Sequence, residues 1–129
     1  MRKKILVVDD DPAILKLLEM YLVEAGYAVL KCGDGVQAVK IAKREAPDLV
    51  IMDIMMRDMD GITSANKLKQ EEITSNIQLI FLTGLQSKQQ ELARGNEVAG
   101  HMIFAKPFDA KKLVDKINDL LNETNRTGS

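Results

Sequence analysis

The sequence has one cysteine, Cys32, and one histidine, His101. A single cysteine excludes an internal disulfide and a multi-cysteine zinc site. A single histidine excludes any centre built on two imidazoles. A charge of one sign is lacking too. Eighteen basic and nineteen acidic side chains leave a formal net charge of −1, so bulk charge gives no reason to expect direct nucleic-acid binding. No apolar run approaches the length that spans a bilayer. Met-Arg-Lys-Lys at the start is followed by only four apolar residues before three aspartates, which is not a signal-peptide pattern. A reducing, cytoplasmic location is the expectation, with no membrane contact. What is present is 129 residues, 46% hydrophobic and 29% charged. That is one compact domain with a real core, not a disordered chain, a collagen-like fibre or a disulfide scaffold.

The chain alternates between two periodicities. Short apolar runs occur at Ile5-Leu-Val-Val8, Tyr27-Ala-Val-Leu30, Leu49-Val-Ile-Met52, Ile77-Gln-Leu-Ile-Phe-Leu82 and Met102-Ile-Phe-Ala105. Most are continuous and rich in Val and Ile, as in parallel strands covered on both faces. Helical spacing lies between them. Ile14, Leu17, Leu18, Tyr21, Leu22 and Ala25 make one apolar stripe, with Asp11 as N-cap, Pro12 in the first turn and Gly26 as the stop. A second helix runs from about Val36 to Glu45, entered through Asp34. A third follows Asp60-Gly61, with Ile62, Ala65 and Leu68 inward. A fourth, thinly apolar, begins near Ser87, where Gln90 completes a capping box. A fifth follows Asp109 and buries Leu113, Val114, Ile117, Leu120 and Leu121. Strand and helix alternate five times. The expected fold is α/β, a single-domain doubly wound (βα)5 sandwich around a five-stranded parallel sheet. Residues 1–122 form this domain. Residues 123–129 are polar and without apolar period, and read as a flexible tail or part of a linker.

Unusual polar residues gather at the strand C-termini. Asp9, Asp10 and Asp11 follow the first strand, Asp53 the third, Thr83 the fourth and Lys106 the fifth. In an open doubly wound sheet, ligands bind at that edge where strand order reverses. For order 2-1-3-4-5 the reversal lies between strands one and three. Asp9 and Asp10 then stand beside Asp53, with Thr83 and Lys106 closing the same crevice. Carboxylates so placed repel one another, and a divalent cation relieves the repulsion. Oxygen ligands without His or Cys point to Mg²⁺. A cation, a lysine ammonium and a threonine hydroxyl around one carboxylate make a receptor for a phosphoryl group, with Asp53 as the nucleophile. Asp11 reads as a helix cap, not a ligand.

These stretches resemble the response-regulator receiver domains of two-component signalling. The matching residues are Ile5 to Asp10, Asp48 to Met56, Met59-Asp-Gly61, Leu82-Thr83 and Lys106-Pro-Phe108, over roughly residues 3 to 122. The resemblance implies the flavodoxin-like arrangement. It implies Asp53 as phosphoacceptor, Asp10 as a direct Mg²⁺ ligand, Asp9 acting through water, and the Met55 carbonyl as a further ligand. It implies that Thr83 hydrogen-bonds the phosphoryl group, that Lys106 pairs with it, and that the Lys106-Pro107 bond is cis. The implied phosphodonor is a phosphohistidine on a sensor histidine kinase or a histidine phosphotransfer protein. The implied protein is no turnover enzyme on an external substrate. It catalyses only its own phosphorylation and dephosphorylation, and the aspartyl phosphate switches partner binding. The output is unspecified, the chain being either a stand-alone regulator or one domain of a longer one. Its state is a monomer or a phosphorylation-dependent dimer.

Three positions depart from the family pattern. Arg57 stands where proline is common, Gly84 where alanine is usual, and Ile103 where Tyr or Phe usually swings inward on activation. Isoleucine has no ring to swing, so the segment after Thr83 is expected to carry the change. Two rival classes fit less well. A phosphohydrolase with an aspartyl nucleophile usually carries a second Asp two residues on, and here that position is Met55. A nucleotide or flavin carrier needs a Gly- or Ser/Thr-rich loop after the first strand, and here Asp-Asp-Asp-Pro stands.

Overall fold

The apolar runs become the strands, and pairing with neighbours sets their ends. In the computed structural model, residues 2–54, 61–83, 97–98, 101–105 and 109–127 are described. The strands are β1 (Lys4–Val8), β2 (Ala28–Cys32), β3 (Leu49–Asp53), β4 (Gln78–Thr83), β5 (Glu97–Val98) and β6 (His101–Ala105). The helices among these residues are α1 (Pro12–Glu24), α2 (Gly35–Glu45), α3 (Gly61–Gln70) and α4 (Ala110–Thr127). The sheet order is β2-β1-β3-β4-β6-β5. The strands from β2 to β6 pair in parallel, and β5 pairs antiparallel with β6. The sheet therefore differs from the five-stranded parallel expectation by one added two-residue edge strand. The helix expected near Ser87 lies outside the described residues.

Strand alternation sorts the core into two layers. Ile5, Val7, Leu49, Ile51, Ile80 and Leu82 pack with Leu18 and Leu22 of α1 and with Leu113, Ile117 and Leu121 of α4. Leu6, Val8, Val50, Met52, Leu79 and Phe81 pack with Ala38 and Ala42 of α2 and Leu68 of α3. Every residue of β3 is buried, as a central strand requires. The N-caps are where the sequence places them: Asp11 accepts from Ala13 N–H, Asp34 from Gln37 N–H, and Asp109 from Lys111 N–H. At the opposite end of the sheet Asp48 ties three strands together. Its carboxylate accepts from Lys4 N–H at 2.8 Å, its own N–H donates to Lys4 O, and its carbonyl accepts from Gln78 N–H.

Two helical expectations change. Leu17 and Tyr21 were expected inward on α1 but are 37% and 38% exposed, because only Leu18 and Leu22 reach the sheet fully. The C-terminal helix does not stop where its apolar period stops. α4 continues to Thr127, so most of the expected 123–129 tail is helical. None of the described helices is long and apolar enough to cross a membrane.

Candidate functional site

The register builds the site. Val8 pairs with Met52, so Asp9 and Asp53, each one residue further, stand side by side at the C-terminal edge of β1 and β3. Both continue the parity of buried positions, 5-7-9 and 49-51-53, and both are buried. Asp10 is exposed above them. Each of Asp9, Asp10 and Asp53 offers a carboxylate oxygen within 4.8 Å of the others. The backbone on either side is held firmly. Asp9 N–H donates to Cys32 O at 3.2 Å, and Ile54 N–H donates to Leu82 O at 2.9 Å. Asp53 itself pairs with Leu82, and Thr83 ends β4 one residue beyond, level with Ala105 of β6.

Three oxygen donors of one charge, two of them out of water, suit a hard divalent cation and disfavour an anion that arrives without one. The donor set has the chemistry that Mg²⁺ needs. The structure thus brings together Asp9, Asp10 and Asp53, and brings the Thr83 backbone to the neighbouring strand end. Met55, Arg57, Gly84 and the Lys106-Pro107 pair lie outside the described residues. Ile103 is in β6, paired with Phe81.

Asp11 joins the site in a way that its reading as a cap does not include. Its backbone N–H donates to Asp9 Oδ1 at 2.9 Å. The available signal was local: an Asp whose carboxylate is two residues before an N–H favours this turn. Cys32, behind the β1–β2 seam, is buried, and burial pushes its thiol up to about 11.

Known proteins align with this architecture over nearly its whole length. The DNA-binding dual master transcriptional regulator RpaA of Synechocystis is 34% identical over 123 residues, covering 95% of this chain and 51% of its own length. This chain spans about half the length of the curated relatives it matches. The signal receiver domain of a signal transduction histidine kinase from Syntrophus aciditrophicus superposes with a TM-score of 0.84 at 30% identity, covering 96% of this chain and 93% of that one. The receiver domain of a sensor histidine kinase from Pseudomonas aeruginosa, solved with magnesium coordinated in its active site cleft, superposes with a TM-score of 0.78. It is 28% identical and covers 92% of this chain and 97% of that one. Residues 5–118 match the model of the response regulator receiver domain, and this chain belongs to that family of two-component signalling modules.

Proposed function

We propose that Asp53 is the phosphoacceptor of this receiver domain and that Asp9, Asp10, Asp53 and the Met55 carbonyl hold Mg²⁺ beside it. The observation that carries the reading is the convergence of Asp9, Asp10 and Asp53, from two adjacent strand ends, to within 4.8 Å. The receiver unit is residues 1–122 in the (βα)5 plan, and residues 123–129, into which the last helix runs as far as Thr127, are a tail or part of a linker. The phosphoryl donor is a phosphohistidine on a sensor histidine kinase or a histidine phosphotransfer protein in the cytoplasm.

The transfer is a displacement at phosphorus. A carboxylate oxygen of Asp53 forms the new P–O bond while the P–N bond to imidazole breaks, and the bonding pair leaves with the imidazole nitrogen. When bound, Mg²⁺ supplies positive charge against the phosphoryl oxygens. The protein's own groups do the rest. The rigid strand ends hold Asp53 in position, the Thr83 hydroxyl donates to a phosphoryl oxygen, and the Lys106 ammonium balances its charge. The same constellation returns the phosphoryl group to water, and the phosphorylated face changes which partner binds.

The test is labelling from acetyl phosphate with and without Mg²⁺. Wild type incorporates hydroxylamine-labile phosphate only with the metal, and Asp53→Asn incorporates none at that position. Equal labelling of the two proteins sinks the assignment.

A further inference from the structure

We propose that Asp11 is a positioning residue for the acidic cluster, acting through Asp9 by way of its cap on α1. The proposal rests on the reading of Asp9, Asp10 and Asp53 as a divalent-cation site.

Two hydrogen bonds of the same kind follow each other along the chain. Asp9 Oδ1 accepts from Asp11 N–H at 2.9 Å, and Asp11 Oδ1 accepts from Ala13 N–H at 2.9 Å. The Asp11 carbonyl also accepts from Ile14 and Leu15 N–H at 3.1 and 3.2 Å. Pro12 has no N–H, so Ala13 is the first donor that the helix offers the cap. The Asp11 carboxylate therefore fixes the backbone at Asp11, in extended conformation with φ −97° and ψ 110°. That backbone aims the N–H at Asp9. Asp9 is fully buried, and a fixed donor on one carboxylate oxygen decides where its other oxygen points. Asp10 lies between these two anchored residues, so the same clamp restrains it. Asp11 itself is exposed and stands outside the trio of converging carboxylates. Its side chain can be changed without opening a cavity.

The position asks for a cap, not for a charge. Asn and Ser present an acceptor to the same N–H and Ala presents none. Asp34 is the matching control. It caps α2 through Gln37 N–H at 2.8 Å, follows the adjacent strand and carries the same charge. Mg²⁺ alone is titrated into the full chain and followed by the amide NMR shifts of Asp9 and Asp10. Asp11→Ala should raise the dissociation constant about threefold to tenfold, less than the loss of a side-chain partner to a ligand usually costs because the N–H itself remains. Asp11→Asn, Asp11→Ser and Asp34→Ala should stay within about twofold of wild type. A purely structural cap would make Asp11→Ala and Asp34→Ala alike, which overturns the proposal. An Asn variant as weak as the Ala variant assigns the effect to charge and overturns it equally. Absence of Mg²⁺-dependent shifts in wild type is a different result, because it removes the metal site itself.

Discussion

A thiol with no part in the chemistry records how tightly the floor of the site is closed. Cys32 ends β2, and its carbonyl accepts from Asp9 N–H. Burial raises its pKa from 9.0 to about 11. A backbone hydrogen bond at Asp34 opposes that rise and the Asp34 charge adds to it. The sign of the linkage follows. The unfolded thiol ionises near pH 9 while the folded one stays protonated, so the folded state binds more protons in that interval. Stability from this group is complete below pH 9 and falls as pH rises toward 11. Burial raises the Tyr27 phenol as well, from 10.0, and lowers the Lys69 ammonium from 10.5, which acts with the opposite sign, so the part due to Cys32 is the difference between wild type and Cys32→Ala. Urea midpoints should decline across that interval in wild type and stay flatter in Cys32→Ala. Iodoacetamide at pH 8 should alkylate the unfolded chain far faster than the native one. Equal native and unfolded rates refute the closed floor.

Helix ends separate what a sequence shows from what it hides. The starts of α1, α2 and α4 are legible because each is a local bargain between one aspartate and an N–H two or three residues on. The end of α2 is different. Ala46 closes it in the left-handed region, with φ 47° and ψ 60°, and its N–H donates to Ala42 O. No glycine or asparagine marks that turn. Pro47 shows only that the helix must stop, not how. An alanine held there costs about 1 kcal/mol or more. Ala46→Gly should therefore stabilise the protein by roughly 0.5–1 kcal/mol in urea unfolding, net of the freedom glycine adds to the unfolded chain. Gly26, at φ 100°, already has the residue its turn requires, and Gly26→Ala should lower stability. A destabilised Ala46→Gly protein would mean that the cap is not strained. Other misreadings are tertiary. β2 extends to Cys32 because Val8 is there to pair with it, and the outward turn of Leu17 and Tyr21 follows from which side of α1 meets the sheet. Neither is encoded within the segment itself.

At the scale of the whole molecule, the encounter of Asp9 with Asp53 was legible because topology makes it: a reversal of strand order puts two strand ends together whatever the loops do. The two-residue β5 was not, since Glu97-Val98 is too short to carry a period and owes its pairing to β6. The fold thus bears the cost of three like charges at one edge, and that makes the metal a stability question as well as a chemical one. On the proposed reading of the site, Mg²⁺ binds the assembled trio and not the unfolded chain. At about ten times its dissociation constant it should add about 1.4 kcal/mol by mass action. For a domain of this size that corresponds to about 5 °C in melting temperature. Asp10→Ala and Asp53→Asn should each reduce that shift to about 1 °C, because each removes a charged donor from the set. Without metal, Asp53→Asn should melt no lower than wild type, since one of the repelling charges is gone while the buried side chain keeps its shape. Thermal melts at fixed ionic strength, with Na⁺ replacing Mg²⁺ as the blank, read both effects. A full Mg²⁺ shift in both variants would place the bound ion away from β1 and β3. A variant that melts far below wild type without metal would show that Asp53 holds the fold together more than it strains it.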